Sequence, residues 1–251
     1  MEMDVLLVLL AVSLMASMVD AMAGGGGLLT VPTLLWCGFS PQQTLATNKA
    51  QSVVGACLAA HYYWSKGLFK FRKSVPLALL AGLGGLLGSF WVQSIDAAVL
   101  EKVIPYLLIG FAAYFALSPQ VGDEDRHQRM RLVPFALTFA MAIGVYDGVF
   151  GPGTGAFYTI ACVSMLGHNL LRATAHAKLC NAFSNSGALI AFIIGGHVVW
   201  EAALVMILGQ LVGARLGASL AHTHGSALIK PLLVVMTLLM SGKLILEQVM
   251  A

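Results

Sequence analysis

The sequence predicts an all-α polytopic membrane protein made of two homologous halves, and three observations carry that reading. Hydrophobic residues make up 59% of the 251 positions and charged residues only 10%, whereas a soluble domain is about one quarter charged. Apolar runs long enough to cross about 30 Å of hydrocarbon recur along the whole chain. The polar motifs that interrupt those runs occur twice, in the same order.

The apolar runs fall at 3–22, 46–64, 75–94, 98–117, 133–150, 174–195, 199–220 and 227–247. They predict eight full transmembrane helices. The N-terminus starts MEMD and runs apolar to Ser17 without a Lys or Arg; a cleavable signal peptide needs a basic start, so the first run is expected to be the first span of the mature protein. Two further apolar pieces, 27–38 and 154–167, are too short to span unaided, and each follows a glycine-rich break. They are expected as short broken or re-entrant helices. The strongly polar loop is SPQVGDEDRHQRMRL at 118–132, near the middle of the chain.

Its central position directs attention to an internal repeat. DAMAGGGG from Asp20 matches DGVFGPGTG from Asp147 (147 − 20 = 127), and LATNKAQS matches TAHAKLCN so that Lys49 lies over Lys178 (178 − 49 = 129). The same offset lays Gly84 and Gly88 over Gly213 and Gly217. Three ordered matches at nearly constant offset indicate a first membrane repeat at 1–118, a central cytoplasmic loop at 119–131 and a second membrane repeat at 132–251. Lys66, Lys70, Arg72 and Lys73 fill one loop, and Arg126, Arg129 and Arg131 the central one. Both are expected to be cytoplasmic. If the short segments cross, each half has five crossings and the halves are inverted, which also places Arg172, Arg215 and Lys230 inside. If they dip and return, the halves are parallel. The positive residues favour inversion.

Irregular backbone at membrane depth is tolerated where it lines a cavity or is buried in protein. Gly24, Gly25, Gly26 and Gly27, with Gly151, Gly153 and Gly155, are therefore expected to line a cavity into which a helix starting near Leu28 or Thr154 directs its unpaired N–H groups and positive dipole end. Lys49 and Lys178 each lie inside an apolar helix, where an ammonium is costly and faces a cavity or a partner. Thr47, Asn48, Gln51 and Ser52 surround the first, and His176, Asn181, Ser184 and Asn185 the second. Two cations, small polar donors and helix N-termini suit a small oxyanion. Asp20 and Asp147 have two open roles. They are counter-ions of the lysines, or one of them carries a coupling proton.

Other chemistries find no support. The chain has no HExxH, GxSxG, GxGxxG or Walker pattern, so no catalytic residue and no cofactor is expected. Cys37, Cys57, Cys162 and Cys180 lack metal-ligand spacing, and the HTH at 222–224 has no further ligands nearby, so no metal site is expected either. Nucleic-acid binding is unsupported. The expected partners are the lipid bilayer and a small anionic substrate, with self-association into a homo-oligomer left open.

The stretches DAMAGGGGLLTVPTLLWCGFSPQQTLATNKAQS, YDGVFGPGTGAFY and RATAHAKLCNAFSNSGAL together resemble the TauE/SafE sulfite-exporter family, closest to its YfcA-type branch, across almost the whole chain. The resemblance implies a bacterial-type, multi-pass inner-membrane permease. Its characterised relatives move sulfite, sulfoacetate or other sulfur-containing organic anions, and the glycine-rich stretches with the TNK and HAK helices form their transport path. The resulting expectation is a secondary transporter working by alternating access, with an uncoupled anion channel and a membrane-embedded enzyme as the alternatives.

Inverted halves make a definite topological prediction. A periplasm-active reporter fused after Ala251 gains activity, and so does one fused before Met1, because ten crossings return the chain to its starting side. Activity of a cytoplasm-specific reporter at both ends would overturn inversion.

Overall fold

The computed structural model describes residues 1–117 and 127–224. Within them the chain forms helices α1 (Met3–Ala23), α2 (Gly27–Trp36), α3 (Pro41–Ser65), α4 (Phe71–Val92), α5 (Ala97–Leu117), α6 (Leu132–Val149), α7 (Thr154–Leu166), α8 (Leu170–Ile194) and α9 (Trp200–His224). No strand occurs among the described residues. Five helices there are long and apolar enough to cross a membrane: Met3–Met22 of α1, α4, α6, α8 and Trp200–Ala221 of α9. α2 and α7 are the two short apolar pieces. The run at 227–247 lies outside the described residues, as do Arg126 and Lys230.

Local chemistry sets the helix ends. α3 starts several residues before the apolar run because Ser40 and Gln43 form a reciprocal capping box with Pro41 in the first turn. α8 starts at Leu170 because the Asn169 side chain accepts the Arg172 N–H at 2.9 Å. α6 contains a π-helical turn at Ala136–Ala140, and the Tyr158 hydroxyl of α7 donates to the Ala140 carbonyl at 3.0 Å. A widened turn and an incoming hydroxyl thus satisfy backbone that regular helix would have paired internally.

α3 and α8 pack on each other at the centre. α9 covers α3 and α4 covers α8, while α1 lies along α9 and α6 along α4. The flanking seams run on glycine. A Cβ on Gly88 would stand 3.1 Å from the Gly148 Cα, and one on Gly217 would stand 2.7 Å from the Met18 Cα. Close backbone approach of this kind is how helices associate where lipid removes the hydrophobic driving force. Larger side chains face outward instead: Leu79, Leu83, Leu87 and Trp91 form one exposed stripe of α4, and Leu204, Leu208 and Leu216 another on α9.

Leucine at Gly88 or Gly217 has no space to enter. Each substitution is expected to destabilise by on the order of 3 kcal/mol and to lower the yield of folded protein in size-exclusion chromatography. Leu87→Phe and Leu216→Phe, on the exposed stripes, leave that yield unchanged. Equal yields for all four would remove the packing role.

Candidate functional site between the broken helices

The site begins at the two helix breaks. Asp20 lies in the last turn of α1, and Gly24, with φ at +72°, turns the chain out of the helix. The carboxylate folds back over the break: Gly25 and Gly26 N–H donate to Asp20 Oδ1 at 3.1 and 3.4 Å. These donors, which the sequence suggested would point at a ligand, are thus held by the preceding aspartate. At the second break Asp147 Oδ1 faces the Thr154 hydroxyl at 3.0 Å, a donor that it shares with the Gly151 carbonyl at 2.6 Å. Its Oδ2 accepts from Ser184 at 2.5 Å.

The lysines complete two crossed ion pairs. Lys49 of α3 donates to Asp147 Oδ1 at 2.6 Å, and Lys178 of α8 donates to Asp20 Oδ2 at 2.7 Å. Each lysine therefore pairs with the aspartate of the other matched stretch. The pairs differ in access: the Asp147 side chain is 2% exposed and the Asp20 side chain 22%. Both lysine side chains are buried. Sequence had left the counter-ion assignment without partners, and the geometry supplies them.

The glycine breaks meet at these pairs. A Cβ on Gly24 would lie 2.5 Å from the Ala156 backbone nitrogen, so one break lies directly against the start of α7. Gly151, at φ +97°, leaves the space that the Lys49 ammonium occupies, since its Cβ would lie 2.5 Å from Nζ. A substituted side chain at either position would separate the charges from the backbone that encloses them.

Between the pairs lies a cavity of ≈ 20 Å³, enough for about one water. Of the residues expected there it is lined by Asp20, Gly27, Asn48, Lys49, Ser52, Asp147, Gly151, Gly153, Thr154, Gly155, Asn181 and Asn185. Lys178 does not line it and reaches it only through its partner Asp20, and the other expected residues are directed elsewhere. Gly24, Gly25 and Gly26 shape the break itself. Thr47 accepts the Val199 N–H at 3.2 Å, where α9 begins. Gln51 hydrogen-bonds Asn48, Ser52 and Gln210. His176 stacks near His168 and Phe69, with Nδ1 2.9 Å from the Arg172 carbonyl. Gln210 joins this network from outside the expected set, and its signal in the sequence is a lone amide within apolar α9. Among the described residues no three His, Cys, Asp or Glu side chains gather as metal ligands.

Membrane-length apolar helices wrapped around buried charges and interrupted backbone define a multi-pass membrane transport protein. The chain belongs to the sulfite exporter TauE/SafE family, whose sequence model matches residues 9–244. It is 42% identical over 245 residues to a "Probable membrane transporter protein" of Haemophilus influenzae, covering 98% of this chain and 96% of the relative. It is 43% identical over 238 residues to "Probable membrane transporter protein YfcA" of Escherichia coli, with coverage of 95% and 88%. A more distant relative, "Probable membrane transporter protein YunE" of Bacillus subtilis, is 20% identical over 267 residues, covering 96% and 97%. No solved structure matches the chain.

Removing one member of a buried pair strands the other. Lys49→Met is expected to destabilise the protein by about 3–5 kcal/mol, read as thermal unfolding in detergent. Lys49→Met with Asp147→Asn recovers most of that loss, because no uncompensated charge remains. A double variant as unstable as the single one would show that the pair is not the coupled unit.

Proposed function

We propose that this protein is a secondary transporter of a small sulfur-containing oxyanion or organosulfonate, such as sulfite or sulfoacetate, moving it by alternating access and coupling it to protons. The observation that carries the reading is the pair of crossed Lys–Asp bridges beside one small cavity, which Asp20, Lys49 and Asp147 line. Two lysines and two aspartates are formally neutral together, so an arriving anion adds an uncompensated charge unless a cation comes with it. A proton on Asp20 removes that excess: it frees the Lys178 ammonium to face the anion, and the two species then travel together. Asp20 suits this role better than Asp147, since it is the more accessible carboxylate.

The architecture supports the accompanying reading of two homologous halves divided at the central loop 119–131, which we take to be inverted and to lie in a bacterial-type inner membrane. The packing of α1 on α9 is matched by that of α6 on α4, and the packing of α9 on α3 by that of α4 on α8. These are the relations expected if α1 corresponds to α6, α3 to α8 and α4 to α9. A cavity of ≈ 20 Å³ is too small for an oxyanion, which fits a closed form that opens when the flanking pairs move against the central α3–α8 pair.

The test uses wild-type protein and Asp20→Asn in proteoliposomes, with sulfite and sulfoacetate as probes. Wild type accumulates one of these anions when protons are driven inward. Asp20→Asn keeps binding and exchange but loses at least about 90% of gradient-driven accumulation. Flux in wild type that is indifferent to the proton gradient would replace the carrier with an uncoupled channel.

A further inference from the structure

Beyond the ion pairs, the buried amides form one directional line that ends on the cavity. It starts at a backbone carbonyl. Gln210 Nε2 donates to the Ser13 carbonyl at 3.3 Å and also to Gln51 Oε1. A carbonyl oxygen only accepts, so the atom facing it is the Gln210 NH2, and this fixes which way round the amide sits. Gln51 must then turn its oxygen to Gln210 and its nitrogen away, and Nε2 donates to Asn48 Oδ1 at 2.9 Å. That oxygen takes a second hydrogen bond from the Thr30 hydroxyl at 2.6 Å. With Oδ1 engaged twice, Asn48 is left with its NH2, and Asn48 lines the cavity.

Two further observations agree. A Cβ on Gly55 would occupy the place taken by the Gln210 amide, standing 3.0 Å from its Cδ, so α3 carries a notch that seats this side chain. On α8 the same outcome arises by another route. Asn185 Nδ2 donates to the Asn181 carbonyl at 2.8 Å and to Asn181 Oδ1 at 2.7 Å, which leaves the Asn181 NH2 as the group available to the cavity that Asn181 also lines.

We propose that Gln210 and Gln51 are positioning residues that hold the Asn48 amide with its NH2 toward the cavity, so that amide donors from α3 and α8 face an oxyanion from two sides and select it by its accepting oxygens. This inference rests on the anion-transport reading above. It adds the source of the selectivity: the polarity set at the Ser13 carbonyl of α1 is passed through α9 to α3, and a ligand that offers hydrogens where the site offers hydrogens is disfavoured.

The test compares methanesulfonate with sulfamate, monoanions of similar size that differ in a CH3 or NH2 group, by titration calorimetry on the full-length protein in detergent. In Gln210→Glu a protonated carboxyl spends its one O–H on the Ser13 carbonyl and a carboxylate has none, so in either form only an acceptor is left for Gln51. Gln51 then turns its nitrogen to residue 210 and its oxygen to Asn48, which reverses and presents Oδ1 to the cavity. The affinity ratio is expected to move toward sulfamate by about tenfold, the effect of one hydrogen bond. Gly55→Ala, which keeps the amide and displaces it, moves the ratio the same way by about threefold and serves if the glutamate variant does not fold. An unchanged ratio in folded variants would overturn the relay, because a merely structural role lowers both affinities alike. If wild type binds neither these anions nor sulfite, the transport reading fails, and the relay is judged by side-chain amide exchange with selectively ¹⁵N-labelled asparagine. The Asn48 NH2 then exchanges readily in wild type and is protected in Gln210→Glu; equal exchange in both would overturn the relay.

Discussion

Everything in this bundle is arranged around the cost of holding four charges at membrane depth. A charge there is tolerable when a partner and enough hydrogen bonds stand in for water. Lys49 and Asp147 reach that condition with the Thr154 and Ser184 hydroxyls, and Lys178 and Asp20 with the Gly25 and Gly26 N–H groups. The broken helices follow from this need. An unbroken helix would consume the backbone donors that Asp20 requires, and side chains at Gly24 or Gly151 would keep the partners apart.

The same requirement explains the contrast between inside and outside. α3 has a run of polar residues from Thr47 to Ser52 and would be a poor membrane helix alone, yet it lies at the centre where α8 and α9 enclose it. Leucines and tryptophans occupy the outward stripes, and glycines the inward seams. Size rather than polarity separates seam from surface, since lipid and protein interior are both apolar and close backbone approach is what remains to hold helices together.

Much of this was legible in the chain because it is local or repeated. Aspartate before a glycine break, lysine within an apolar helix and paired glycines each recur, and the positions of α2, α7 and the long helices followed from hydropathy. Partner choice was not legible, since the bridges span 98 and 158 residues and any lysine–aspartate pairing balances charge equally. Facing was legible only in part. Ser52 and Asn181 lie three residues after their lysines and share a face with them, whereas Thr47, Gln51 and His176 lie two residues away, about 200° round the helix. Thr47 and His176 are expected in the site by proximity in sequence and Gln51 by the face it shares with Asn48 and Ser52, yet the helices direct all three to α9 or to the His168 side. The early start of α3 was hidden because its first turn, with Gln42 and Gln43, is too polar for a hydropathy window, although the capping box announced it.

The crossed bridges also bear on biogenesis. A ribosome that has delivered α1 to α5 has released Asp20 and Lys49 into the bilayer while Lys178 and Asp147, their partners, are still unmade. The nascent protein is therefore an incomplete electrostatic object until α8 inserts. A chain that terminates before α8 therefore keeps stranded charges among its apolar helices, each at the cost of an unpaired buried ion.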